Sequence, residues 1–383
     1  MGDKLSIGFL TIHAEASERR AFLPNFVANL ERMGAQVVLE HGYGSGLGLT
    51  AEDYCRVSPG VVFTSREEVY QQNCVLVIRY PGDDEITQMH PSGCLISMLH
   101  YPTRPKRAAL LHSLGIEGIS LDSLKDDTGR RLVENLRSVA WNGVEAAFRT
   151  LRTLYPSPGF DSPRRPPIYV LLVGAGAIGS HVMQAAIRYG NLKLWNDMTG
   201  RGVPGVQVTA VDYDTTAIPD IMLELMRRTD LLVDATQRSD SSKPVIHNEW
   251  IGVMPAHAVL LDLSVDPYDC TGEAALVKGI EGIPQGNLDQ YIIAPDDPLY
   301  DSVPECIPTA QRRYCVSCYS WPGIYPRECM ELYAHQIHPV MRILIEKGGV
   351  ANVHSRGRYF ERAISRALLS NWIKNGNDHR SNT

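Results

Sequence analysis

The 383-residue chain reads as an α/β protein of two units, each built on a mainly parallel sheet. Short apolar runs of strand length alternate with stretches whose apolar residues recur at helical spacing. The chain also exceeds the size at which one core stops growing. A linker rich in Pro and Arg, Pro156 to Pro167, separates two such alternating series.

In the first series, Leu5 to Ile12 reads as a buried strand. Phe22, Leu23, Phe26, Val27, Leu30 and Met33 then predict a helix that stops at Gly34, a residue suited to a C-terminal cap. Val37–Leu39, Val75–Ile78 and Cys94–Leu99 read as further short buried strands. Arg131 to Tyr155 predicts one long helix with Leu136, Val139, Ala140, Val144, Ala147, Phe148 and Leu151 as its apolar stripe. After the linker, Ile168–Val173, Val206–Val211, Leu231–Val233 and Val259–Leu263 read as strands. Beyond Pro326 the chain is helical again through Met330, Tyr333, Ile337, Val340, Met341 and Leu344, a stretch expected to pack back on the first unit. The expected division is 1–135 plus 330–383 against 136–329. Asn375 to Thr383 reads as a frayed polar tail.

Lys plus Arg is 37 and Asp plus Glu is 43, a net charge of −6. This lacks the dense basic face that nucleic-acid binding needs. No apolar stretch approaches the ~20 residues of a membrane span. The start, Met1-Gly2-Asp3-Lys4, runs into the first strand without the apolar core of a signal peptide, so a cytoplasmic protein is expected. Of eight cysteines only Cys315-x-x-Cys318 has metal or redox spacing, and no second pair answers it. These are read as reduced cysteines in or near a strand, with no metal site.

Gly174-Ala175-Gly176-Ala177-Ile178-Gly179 follows a strand and opens a helix. Gly174 serves the tight turn, Gly176 the close approach of a pyrophosphate, and Gly179 the packing of helix on strand; the N-terminal turn at Ala177 and Ile178 favours phosphate charge. The next strand ends at Asp212, whose carboxylate suits the ribose hydroxyls of NAD and repels a 2′-phosphate. The gap from Gly174 to Asp212 is 38 residues, against the usual ~20. Asn191 to Gly205 is therefore read as an inserted loop.

Strand ends are where open α/β sheets bind ligands. Arg19 and Arg20 follow the first strand, Arg79 ends another, His100 ends a third, and Asp122 closes Gly118–Leu121. A histidine suits proton exchange with an amine or imine, and guanidinium groups suit carboxylates. In the second unit Asp262 and Asp266 stand at the end of Leu260-Leu261-Asp262-Leu263-Ser264-Val265-Asp266, with Asp266 the better placed to face nicotinamide or a substrate amine.

These segments together resemble the alanine dehydrogenase and transhydrogenase superfamily, which includes the lysine-forming saccharopine dehydrogenases. Glu18-Arg19-Arg20-Ala21-Phe22-Leu23-Pro24 is similar to its early substrate-binding segment, with Arg19 at the arginine. Val77-Ile78-Arg79-Tyr80-Pro81 resembles the segment that carries a lysine before a proline. Met98-Leu99-His100-Tyr101 resembles the active-site histidine segment. Tyr314-Cys315-Val316 with Trp321-Pro322-Gly323-Ile324-Tyr325-Pro326-Arg327 resembles the late nicotinamide-side loop. Asp127-Thr128-Gly129-Arg130-Arg131, Leu263-Ser264-Val265-Asp266 and Pro326-Arg327-Glu328 lean toward the saccharopine branch.

The resemblance implies two Rossmann-like domains with the active site in the interdomain cleft. It implies an NAD-dependent oxidoreductase acting on the CH–NH bond of an amino acid or secondary amine, of saccharopine dehydrogenase type. The alternatives are reductive amination with ammonia, as in alanine dehydrogenase, or an NAD(H)-binding protein without turnover. His100, Arg79 and Asp266 are the implied catalytic set, and Arg19, Arg79, Asp122 and Arg131 the implied substrate-binding set. Gly174, Gly176, Ala177, Ile178, Gly179, Asp212, Asp266, Trp321 and Pro322 would bind the cofactor. Partners are an amino acid and a 2-oxo acid, and a homo-oligomer is compatible with the sequence. One departure stands out: Arg79 replaces the lysine given a role in proton transfer, and arginine stays protonated throughout the working range.

Overall fold

The computed structural model describes residues 4–12, 15–238, 240–271 and 275–380, apart from the side chains of 375–380. The opening Met1-Gly2-Asp3 and the last three residues of the tail lie outside the described residues. The chain divides into two compact units: residues up to Asn135 together with those from Tyr325 onward, and Leu136–Ile324 between them in sequence.

The first unit holds six parallel strands: β1 (Ser6–Phe9), β2 (Gln36–Glu40), β3 (Val62–Thr64), β4 (Cys74–Arg79), β5 (Cys94–Met98) and β6 (Glu117–Ser120). They lie in the order β3-β2-β1-β4-β5-β6. Both faces are covered, which is why the strands read as unbroken apolar runs rather than as alternation. In β4, Cys74, Leu76 and Ile78 enter one core while Val75 and Val77 enter the other. Helix Pro326–Lys347 adds Met330, Tyr333, Ile337, Met341 and Leu344 to the first of these cores. Pro326 opens this helix and Gly348, at φ +69°, closes it in the left-handed conformation that glycine adopts without strain.

The second unit holds β7 (Ile168–Val173), β8 (Val206–Val211), β9 (Leu231–Asp234), β10 (Val259–Asp262), β11 (Ile292–Ile293) and β12 (Tyr314–Ser317). Their order is β11-β12-β10-β9-β7-β8, parallel except for β11. Ile168, Val170 and Leu172 face one core, Leu171 and Val173 the other. Helix Leu136–Leu154 lines the first of these with Ala140, Val144, Ala147, Phe148 and Leu151.

Four features depart from the sequence reading. The long helix starts at Leu136, not Arg131, because the preceding residues are committed elsewhere. Asp126 collects the N–H groups of Thr128 and Arg130, Lys125 bridges Arg131, and Gln336 clamps the Glu134 backbone at both N–H and C=O. Asn191 to Gly205 is not a plain loop: Leu192–Gly200 is a helix. The Asn191 side chain caps it by accepting from the Leu194 N–H, a contact worth about 1 kcal/mol. The tail is helical through Arg380, as part of helix Leu369–Arg380. Finally, Cys270 and Cys306 form a disulfide across 36 residues, a pairing made by loop proximity that no spacing announces. Cys315 lies in β12 and Cys318 just beyond it, both buried and outside any disulfide. Among the described residues no helix is long and apolar enough to cross a membrane, and no cluster of three or more His, Cys, Asp or Glu side chains could hold a metal.

Candidate active site

In a parallel sheet of this order the chain leaves the central strands in opposite directions, opening a crevice at their carboxyl ends. In the first unit that point lies beyond β1 and β4. The segment after β1 carries Glu15, Glu18 and Arg20, and β4 ends at Arg79. Arg79 reaches Glu15 at 2.6 Å and Glu18 at 3.5 Å. Glu18 also receives a two-pronged contact from Arg20, at 2.9 and 2.6 Å. Burial alone would raise the Glu18 pKa, but the Arg20 contacts outweigh it, with Arg79 adding to them, and hold the carboxyl below its usual range. The Arg79 guanidinium, expected to hold a substrate carboxylate, is thus paired here with two carboxylates of its own unit. Arg19, the arginine picked out by the motif, is exposed, and its neighbour Arg20 is the buried one. Arg131 is exposed as well.

His100 follows β5 and Asp122 follows β6. The His100 backbone N–H donates to Asp122 Oδ1 at 3.1 Å, and its Nδ1 lies 3.4 Å from Oδ2. Ser120 Oγ donates to Oδ1 at 2.7 Å. Burial pushes the Asp122 carboxyl up, but the contacts with His100 and then Ser120 dominate and hold it well below the ordinary carboxylate range. Asp122, expected to bind substrate, has its oxygens turned to His100 and Ser120. The backbone of His100 is left-handed, at φ 52° and ψ 47°, which aims the ring back at Asp122 while its side chain remains 49% exposed.

In the second unit the corresponding crevice lies beyond β7 and β9. Gly174 has φ +95°, and a Cβ there would stand 2.7 Å from the Ala235 carbonyl oxygen. At Gly179 a Cβ would meet the Gly174 oxygen at 2.1 Å. Both glycines are demanded by packing. Gly176 is different: a Cβ there would meet nothing within 4 Å, and Ala175, Gly176 and Ala177 are exposed. Helix Ala177–Ala186 begins at this opening with no side-chain cap. Its first N–H groups are therefore available to an anion, and the missing side chain at Gly176 gives it room. Asp212, at the end of β8, is exposed and accepts from the Tyr213 N–H. These residues fit the pyrophosphate and a ribose of a nicotinamide dinucleotide.

Asp266 is partnered by Arg238 at 2.6 Å, and Val265 before it has φ +49°, a strained value for a β-branched residue. Trp321, expected at the cofactor, is 1% exposed within the core, and its Nε1–H donates to the Asp262 carbonyl. The adjacent Pro322 is half-buried. Asp262 and Asp234 stand side by side on β10 and β9, both buried. Asp262 binds Lys278 at 2.9 Å and stays low in spite of burial, whereas burial and the neighbouring Asp262 push Asp234 up to about 6. Glu15, Arg238 and Lys278 carried no signal in the sequence, because their partners are fixed only by folding. Asp234 closes an apolar run as Asp212 and Asp262 do, and that pattern could have found it.

The fold is that of an α/β protein with two Rossmann-like, parallel-dominated domains. A solved L-alanine dehydrogenase has a TM-score of 0.69 with it, covering 95% of this chain and 94% of that one at 17% identity. A transhydrogenase from Sinorhizobium meliloti reaches 0.61 over 89% and 94%, at 16% identity. More particularly, residues 12–141 match the family model Alanine dehydrogenase/PNT, N-terminal domain. Among curated proteins, the chain is 24% identical over 368 residues to the NAD(P) transhydrogenase subunit alpha of Haemophilus influenzae, spanning 88% of this chain and 66% of that subunit. It is 23% identical over 341 residues to the alanine dehydrogenase of Mycolicibacterium smegmatis, spanning 86% and 85%.

Proposed function

We propose that the protein is an NAD-dependent oxidoreductase acting on the CH–NH bond of an amino acid, and that its reaction is of the alanine dehydrogenase type. The observation that carries this reading is the His100–Asp122 pair, an exposed imidazole held by a buried carboxylate within the segment that matches the family domain. Similarity to proteins named alanine dehydrogenase supports reductive amination with free ammonia and a small 2-oxo acid ahead of a saccharopine-type secondary amine for this chain.

When bound at the Gly174–Gly179 turn, NAD supplies the hydride acceptor, or NADH the donor, for the substrate α-carbon. Asp212 favours NAD over NADP, since a carboxylate repels a 2′-phosphate. His100, with Nδ1 toward Asp122, keeps Nε2 for the proton that the substrate nitrogen, carbinolamine or attacking water must exchange. Asp122 orients the ring. Arg79 cannot take part in that exchange, because guanidinium does not release a proton in this range. Its charge is set against Glu15 and Glu18, and Arg19 and Arg131 are the exposed candidates for the substrate carboxylate. Asp266 is the carboxylate assigned to the nicotinamide side or the amine.

The test is NADH oxidation by purified protein with pyruvate plus ammonia, run beside lysine plus 2-oxoglutarate and a panel of other amines and 2-oxo acids. Turnover with ammonia and a small 2-oxo acid is the expected result. Turnover confined to lysine and 2-oxoglutarate would replace it with the saccharopine-type reaction. Bound NADH with no turnover of any pair would leave a nucleotide-binding protein without this chemistry.

A further inference from the structure

The three residues Val277-Lys278-Gly279 cross the carboxyl ends of β9 and β10, and each touches a different carboxylate or its partner. Lys278 is fully buried and donates to Asp262 Oδ2 at 2.9 Å and to Gln285 Oε1 at 2.6 Å. Ser317 Oγ donates to the same Asp262 oxygen at 3.0 Å. The other oxygen, Oδ1, accepts the Val265 N–H at 2.8 Å. The Val277 carbonyl accepts from Arg238, through the same nitrogen that binds Asp266. Gly279 presses on β9, where a Cβ would lie 2.1 Å from Asp234 Oδ2. One strap thus reaches Asp266 by two routes, through Asp262 to the Val265 turn and through Arg238 to the carboxylate itself.

A buried ion pair adds little net stability over a well-packed apolar pair, yet breaking it by removing one partner is costly. Here the cation stands where two buried carboxylates lie side by side. Without it, Asp262 would gain most by taking up a proton or turning away, and either change would weaken its hold on Val265. A β-branched residue at φ +49° keeps that conformation only while its surroundings impose it.

We propose that Lys278 is a positioning residue: by fixing Asp262 and the Val277–Gly279 strap, it holds Val265 in its left-handed turn and sets where Asp266 stands. The catalytic consequence rests on the reading of Asp266 given above; the conformational one does not. Lys278 need not touch substrate or nucleotide to act in this way.

The test measures amide hydrogen exchange and turnover on the full chain, for wild type, Lys278→Met and Lys278→Arg. In Lys278→Met, exchange across residues 263–270 should quicken by about tenfold or more, while β7 and β8 keep their protection, as for a local opening. In Lys278→Arg, which retains the charge, much of that protection should return. On the same samples kcat per NADH-binding site, counted by titration, should fall about tenfold in Lys278→Met, with KM for the 2-oxo acid and NADH affinity within about twofold of wild type; counting sites separates this from lost folded protein, which lowers apparent kcat only per total protein. Unchanged exchange over 263–270 in a folded Lys278→Met overturns the proposal. If that variant does not fold, Lys278→Arg decides: a displaced donor should still loosen 263–270 measurably, and identical exchange and kcat would refute the role. If wild type turns over no substrate pair, the functional reading fails while the exchange result still decides whether Lys278 sets the turn. Local loosening with unchanged kcat in an active enzyme would instead remove Asp266 from the chemistry and with it the positioning role.

Discussion

Asp122 holds His100 at two points, accepting from its backbone N–H at 3.1 Å and facing its Nδ1 at 3.4 Å. A single carboxylate therefore fixes both the left-handed backbone and the ring. Replacing Asp122 by Asn keeps a similar shape but removes the carboxylate that faces Nδ1 and orients the ring. Turnover should fall about 10²-fold or more, a typical contribution for acid–base catalysis. His100→Gln should do at least as much damage, with NADH binding unchanged in both. Steady-state kinetics alongside NADH fluorescence titration checks this.

Asp234 contributes to stability with the opposite sign from a typical paired carboxylate. Its pKa in the folded protein, about 6, lies above the unfolded value, so the folded state binds the proton more tightly. The associated stability is full below the unfolded pKa, near 4, and is lost as pH rises through about 6. Asp234→Asn should therefore stabilise the protein at pH 8, by up to about 3 kcal/mol, and have little effect at pH 4. Thermal melts of both proteins across that range give the answer; a gain that grows toward acid pH would refute the assignment.

The three glycines of the nucleotide turn should separate by phenotype. Gly179→Ala and Gly174→Ala force a Cβ against backbone and should each destabilise the second unit by about 1–3 kcal/mol. Gly176→Ala meets open space and should leave the melting temperature within a few degrees while weakening NADH binding about tenfold or more. Loss of stability at Gly176 with normal NADH affinity would contradict the assignment of that opening to the pyrophosphate.

Arg79 stands against two buried carboxylates, so its removal should be felt in the fold before the chemistry. Arg79→Met should cost roughly 3 kcal/mol, the scale for leaving a buried charge without its partner. Arg79→Lys, which restores the residue of the resembling family, should cost less and retain turnover. Denaturant titration and kinetics on both variants distinguish an ion-pair role from a catalytic one.

Periodicity was enough to place most strands and both long helices, since apolar runs covered on two faces and helical stripes are local patterns. It failed where local residues serve distant partners. The segment Arg131–Asn135 continues a helical pattern but is held in other conformations by the Lys125–Arg131 bridge, the Leu124 carbonyl and Gln336. The long gap from Gly174 to Asp212 suggested an inserted loop over Asn191 to Gly205, yet the Asn191 cap and the buried Met198 sustain a helix there. In the site, residues at strand ends could be read because strand ends are where α/β sheets present chemistry. Their partners could not: Glu15 for Arg79, Arg238 for Asp266 and Lys278 for Asp262 lie 64, 28 and 16 residues away in sequence.

What the amino-acid order by itself determined was the α/β class, the two-unit plan, the glycine turn with its terminal aspartate, and the identities of His100, Asp122 and Asp266 as candidates. All of these depend on spacing along one strand, one turn or one helix. Folding alone decided which charges neutralise one another: Arg79 became the ion-pair partner of two buried glutamates, Asp122 the anchor of a histidine, and Trp321 a core residue bonded to Asp262. The reason is that the energy of a charge depends on burial and on neighbours a few ångströms away, and those neighbours are brought together by sheet order and loop path rather than by sequence distance.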